Sequence, residues 1–293
     1  GLRHVMKVKS VRFWEEDLPL TRPYEIAFRR VESVKNVVVA IETHEGIMGL
    51  GTGAPEEHVT GETFDRCFES LNSFDFSYLE RFHLEADKNK VFKLLAQKFK
   101  IAPAARAAVE IAVYDAVSQQ AEKPLCQYLG QHHHRLETSI TIGIKSIPEI
   151  LEEAEEYQQR GFSILKLKLG KSLEEDIERT QKLYEKVKNK CRLRVDLNRG
   201  YSLSEFEAYH ERVQNCEIEF YEQPCPPEEL SKLRTFRNEL AADESLLTPK
   251  DAEQLGAEDL CQIFNIKLMK CGGLTDALKI AATAKSYGKD LMW

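Results

Sequence analysis

From about residue 138 onward the chain repeats one grammar: a short apolar run, then a charged stretch of helical period. The runs are TSITIGI, ILKLKLG, LRVDLN, IEFYEQP, LAADES and FNIKL, with DLMW at the carboxyl end. Such runs alternating with amphipathic helices predict parallel strands joined by crossovers, because each return to the same edge of a parallel sheet needs a covering helix. IPEILEEAEEYQQRG, SLEEDIERTQKLYEKVKNK and LTDALKIAATAKSYG are the plainest helices, the first and last meeting a Gly where they must stop. An open doubly wound sheet and a closed barrel share this grammar.

Two features favour the barrel. Lys168, Asp196, Glu222, Asp243 and Lys267 lie toward the carboxyl ends of successive runs, separated by 28, 26, 21 and 24 residues. That is one polar residue per βα unit, and in a barrel those ends converge on one mouth, whereas an open sheet spreads them along a line. The second feature is that no GxGxxG opens a helix, so the dinucleotide-binding alternative lacks its fingerprint. The barrel occupies residues 136–293 and stops inside its seventh strand, so it is expected to be incomplete in these residues and to continue beyond Trp293.

Residues 1–135 read differently. VKSVRFWEEDL, NVVVAIET and IMGLGTGAP, with a His-Glu-Gly turn at 44–46, predict an antiparallel meander. Residues 102–120 (APAARAAVEIAVYDAVSQQ) open on a Pro and carry small apolar residues at spacings of three and four, which predicts a tightly packed helix. The fold class is therefore α/β, a (β/α)-barrel with an N-terminal α+β capping domain.

Charge and composition narrow the function. With 41 Lys+Arg against 48 Asp+Glu the formal charge is -7, the wrong sign for a nucleic-acid footprint. No apolar run is long enough to span a bilayer and the first residues lack the core of a signal peptide, which predicts a cytoplasmic protein without a membrane partner. The seven cysteines are scattered, odd in number and free of any CxxC pair, so they read as reduced packing residues. His132, His133 and His134 read as a solvated loop, since three successive side chains do not easily converge on one tetrahedral site. A homo-oligomer is compatible with all of this.

Strand parity sorts the polar residues. In ILKLKLG, Lys166 and Lys168 share one face and Leu165, Leu167 and Leu169 the other. The leucines cover the helix side, so both lysines point into the barrel, where a lone ammonium is costly unless carboxylates surround it. The same count turns Asp196 inward, against Leu193, Val195 and Leu197, and puts Glu222 on the face of Ile218 and Phe220 and Lys267 on that of Asn265. Asp196, Glu222 and Asp243 on successive strands make an all-oxygen site suited to Mg²⁺, because three carboxylates at close quarters repel one another without a cation.

LKLKLG, VDLNRGY, YEQP, ADES and NIKLMKCGG, in this order and spacing, resemble the muconate-lactonizing-enzyme subgroup of the enolase superfamily over nearly the whole chain. LTRPYEIAFRRV and VTGET look most like the dipeptide epimerases of that subgroup, particularly those acting on Ala-Glu. The resemblance implies a Mg²⁺-dependent isomerase. It makes Lys168 and Lys267 the acid/base pair and Asp196, Glu222 and Asp243 the metal ligands. It also puts Lys166 at the substrate carboxylate and Thr141 in contact with substrate, and makes Arg29, in a loop between LTRPYEIAF and NVVVAIET, the reader of a glutamyl side chain.

The chemistry agrees. A proton α to a carboxylate is too weakly acidic for an amine base alone, so the enolate needs a metal ion, and one lysine on each face lets the proton leave from one side and return on the other. o-Succinylbenzoate synthase and N-acylamino-acid racemase share the lysines and the metal site and remain alternatives. A non-catalytic relative is another, and a Schiff-base lyase would not need the three carboxylates.

Overall fold

A computed structural model describes residues 6–293. The chain opens with a long hairpin, β1 (Val8–Ile26) and β2 (Arg29–Thr43), and a third antiparallel strand, β3 (Met48–Gly53). The expected first strand ends at Leu18, yet β1 runs on through LTRPYEI. It is the edge of the order β1-β2-β3, and only an edge strand accommodates Pro19 and Pro23, which cannot donate to a ladder. Five helices follow: α1 (Glu57–Thr60), α2 (Phe64–Ser73), α3 (Lys88–Lys98), α4 (Pro103–Gln120) and α5 (Leu125–Tyr128). The predicted helix at 102–120 is α4, displaced by one residue at its start.

The remainder alternates: β4 (Ile140–Ile142), α6 (Ile147–Gln159), β5 (Ile164–Lys168), α7 (Leu173–Val187), β6 (Arg192–Asp196), α8 (Leu203–Arg212), β7 (Ile218–Glu222), a 3-10 segment (Pro227–Glu239), β8 (Leu240–Ala242), α9 (Pro249–Ala257), β9 (Ile263–Asn265), α10 (Leu268–Cys271), α11 (Leu274–Ser286) and β10 (Asp290–Met292). The seven strands form one parallel sheet in strict chain order, curled into a half-barrel. Its helix-facing side is the leucine and valine row predicted from parity: Leu165, Leu167, Leu193 and Val195 are buried. Phe220, Ala241 and Ile263 pack on its inner side with Met292. Helix starts follow their caps, with reciprocal Ser202–Glu205 and Thr248–Asp251 boxes at α8 and α9.

Two compact units divide the chain. One comprises the residues up to Pro19, Ser33–His134 and Ile266–Ala282; the other comprises Leu20–Glu32, Arg135–Asn265 and Thr283–Trp293. In the first, Val37, Val39 and Ile41 of β2 are fully buried, and their partners on β3 are Gly53, Gly51 and Gly49. Five of the seven cysteines, all free, are buried; Cys216 is half-buried, and Cys126 is exposed and so not the packing residue expected. No helix among the described residues is long and apolar enough to cross a membrane.

Candidate active site

Register assembles the site in the second unit. Lys168 at the end of β5 pairs with Asp196 on β6, and Asp196 with Glu222 on β7. Glu222 pairs with Ala241, so Asp243, two residues further on, projects to the same side one step nearer the mouth. Thr141 on β4 lies beside Lys166 in the ladder. The neighbours in space are therefore those expected from the spacing.

The side chains are buried and tightly paired. Lys168 Nζ donates to Asp196 Oδ2 at 2.6 Å. Lys166 Nζ lies 3.3 Å from the same oxygen and 3.2 Å from Glu222 Oε1. Asp196 Oδ1 accepts the backbone N–H of Asn198 at 3.0 Å, and Glu222 Oε1 accepts from Asn265 Nδ2 at 3.3 Å. Asp196 and Glu222 are completely shielded and Asp243 nearly so.

The charged groups of the site act strongly on one another. Burial disfavours the Lys166 ammonium, but Glu222, then Asp196 and Asp243, outweigh it and raise its pKa. Burial likewise opposes ionisation of Asp196, yet Lys168 and Lys166 hold its carboxyl well below the usual range. Glu222 goes the other way: burial first, then repulsion by Asp196 and Asp243, pushes it up despite Lys166.

The mutual repulsion that lifts Glu222 and the oxygen-only donor set suit a hard divalent cation that Asp196, Glu222 and Asp243 would hold. Among the described residues no three His, Cys, Asp or Glu side chains form a group that could hold a metal ion as they stand. The lysine ammoniums, 2.6 to 3.3 Å from the carboxylates, occupy the positions of counter-charge instead.

Lys267 and Arg29 come from other segments of the chain. Lys267 caps the amino end of α10, two residues beyond Asn265, and belongs to the first unit. Arg29 is an exposed residue in the second unit, and it is the first residue of β2, not part of a loop. The connection is a tight turn at Ala27–Phe28, which leaves no loop for Arg29 to occupy.

Sequence reasoning passed over two supporting residues. Gln223 is buried, with a positive φ of 39°, and its Oε1 accepts the N–H groups of Asp243 at 3.0 Å and Ser245 at 3.2 Å. Its Nε2 donates to Ser245 Oγ at 2.8 Å, so one amide orders the loop that carries Asp243. Asp176, in the first turn of α7, accepts from Gly170 N at 2.9 Å and from the Tyr201 hydroxyl at 2.6 Å. It ties the loop after Lys168 to the loop after Asp196. Gln223 lies within YEQP, so the motif itself was its signal; Asp176 resembles any acid near a helix start and had none.

Known proteins identify the family. Residues 8–130 match the mandelate racemase / muconate lactonizing enzyme N-terminal domain, and residues 149–293 match the enolase C-terminal domain-like family. The chain is 45% identical to an L-Lys-D/L-Arg epimerase of Desulforapulum autotrophicum over 98% of its own length and 82% of the relative's. It is 33% identical, with the same coverage, to an L-Ala-D/L-Glu epimerase of Clostridium acetobutylicum. The crystal structure of a dipeptide epimerase from Methylococcus capsulatus, complexed with Mg and the dipeptide L-Arg-D-Lys, superimposes with a TM-score of 0.94 at 43% identity, over 98% of this chain and 82% of that one. The chain belongs to the mandelate racemase / muconate lactonizing enzyme family of the enolase superfamily, among the epimerases and racemases.

Proposed function

We propose that this protein is a Mg²⁺-dependent dipeptide epimerase acting on dipeptides with cationic side chains, Lys or Arg, in preference to Ala-Glu. The observation that carries the substrate class is the greater identity to the Lys/Arg epimerase than to the Ala-Glu epimerase.

In this reading Lys168 and Lys267 are the acid/base pair, one for each face of the substrate Cα. Asp196 holds the Lys168 ammonium by the 2.6 Å contact and so fixes the direction of its proton. Lys166, anchored on Asp196 and Glu222, faces the substrate carboxylate, and Thr141 beside it makes a further contact. Asp196, Glu222 and Asp243 hold Mg²⁺, which when bound neutralises the charge that builds on the carboxylate as the α-proton leaves.

The test is proton exchange in D₂O across a dipeptide library with Mg²⁺ present. Arg- and Lys-containing dipeptides are expected to exchange fastest. Faster exchange of Ala-Glu overturns the substrate class, and no exchange of any dipeptide overturns the epimerase reading. Arg29→Leu adds a discriminator: it raises KM for Ala-Glu if Arg29 reads a carboxylate, and spares or improves a cationic dipeptide by removing like charge.

A further inference from the structure

The first unit contains a helix seated with no freedom to slide. Gly49, Gly51 and Gly53 share one face of β3 by strand parity, and α4 lies on them. A Cβ at Gly49 would stand 2.2 Å from the Ala112 carbonyl oxygen, one at Gly51 1.9 Å from that of Ala108, and one at Gly53 2.2 Å from that of Ala104. Three glycines at spacing two therefore meet three alanines at spacing four, backbone against backbone. Helix α4 is consequently a rigid platform.

From that platform Arg106, Glu110 and Tyr114, at helical spacing on one stripe, reach the segment that begins with Lys267. Arg106 Nη1 donates to the Cys271 carbonyl at 3.2 Å and to Asp276 Oδ2 at 2.9 Å. Glu110, fully buried, accepts the backbone N–H of Thr275 at 2.7 Å, and the Tyr114 hydroxyl lies 3.0 Å from Thr275 Oγ1. The approach is so close that only glycine fits opposite: a Cβ at Gly272 would be 2.7 Å from Arg106 Cδ, and one at Gly273 2.7 Å from Glu110 Oε1. Between this clamp and Lys267 stands one helical turn, α10, closed by Lys270 N to Lys267 O at 3.0 Å and ended by Gly272 in the left-handed region.

We infer that Arg106 and Glu110 are positioning residues for Lys267, and that they set the access of that lysine to one face of the substrate Cα. The inference rests on the acid/base reading of Lys267 made above. Arg106 grips the carboxyl end of α10 and Glu110 grips the start of α11, so the turn carrying Lys267 cannot tilt without breaking a buried charged contact. Misplacing a catalytic group by about 1 Å costs on the order of a hundredfold in rate, and here the loss falls on one lysine only.

One-sidedness makes this testable. Exchange of the α-proton in D₂O is followed by NMR, starting separately from each diastereomer of the same dipeptide, with Mg²⁺ and the whole chain. Lys267→Ala identifies the diastereomer that depends on Lys267, and Lys168→Ala identifies the other. Arg106→Met is expected to slow exchange from the first by about tenfold or more and to leave the second near the wild-type rate. Glu110→Ala, which removes the acceptor of the Thr275 N–H, is expected to give the same one-sided loss, and equal losses from both diastereomers there, or none, overturn its part in the positioning. Equal losses from both diastereomers in Arg106→Met, or no loss, overturn the positioning role. If Lys267→Ala itself shows no facial preference, the acid/base reading fails and this inference with it. Arg106→Lys keeps the charge and loses the fork, and it is expected to give the same one-sided loss in weaker form if Arg106→Met does not fold.

Discussion

The side-chain oxygen of Gln223 accepts the backbone N–H of Asp243 at 3.0 Å. One buried amide on β7's carboxyl end therefore orients the residue following β8. Outer partners of this kind commonly hold a ligand's affinity within narrow limits. Gln223→Leu, of similar size and without the amide, is expected to weaken Mg²⁺ binding about tenfold to a hundredfold in a calorimetric titration. Unchanged affinity would mean that the Asp243 loop is held by its neighbours alone.

Asp196 touches both site lysines, and its removal tests the metal assignment directly. Asp196→Asn is expected to abolish Mg²⁺ binding measured calorimetrically, since a neutral amide replaces a ligand in a three-carboxylate set. Binding at wild-type strength would show that the ion sits elsewhere.

Gly51→Ala tests the seat of α4. The new Cβ would lie 1.9 Å from a backbone oxygen, which a rotamer change cannot relieve. Overpacking of this kind costs about 1–3 kcal/mol, and the upper end is expected because backbone must move. A urea midpoint within error of wild type would contradict the packing described.

Glu62 supplies a pH test away from the site. Its carboxylate accepts from Ala104 N at 2.7 Å and Ala105 N at 3.3 Å, at the amino end of α4. Burial nevertheless raises its pKa above the ordinary value. A raised folded-state pKa gives stability that is present at low pH and lost as pH rises through the folded value. Glu62→Gln cannot ionise, so its stability relative to wild type is expected to improve as pH rises above the ordinary glutamate value, read by denaturant unfolding. A difference independent of pH would place Glu62 at its ordinary pKa.

Period and spacing alone located β4 to β10, the helix α4 and the inward face of Lys166, Lys168, Asp196 and Glu222, because side chains on a strand alternate and each βα unit has a minimum length. The meeting of Lys166 and Lys168 with Asp196 and Glu222 was legible for the same reason: charged side chains turned to one face of neighbouring strand ends are buried only where they pair. What the sequence did not contain was everything set by contacts between distant segments. The continuation of β1 through two prolines depends on its edge position, and the start of β2 at Arg29 depends on the tightness of the hairpin turn. The service of Gln223 to Asp243, of Asp176 to two loops and of Arg106 to the turn after Lys267 required residues 20 to 165 positions apart to be brought together. A periodicity reports which face a residue takes. Only the packed chain decides what that face meets.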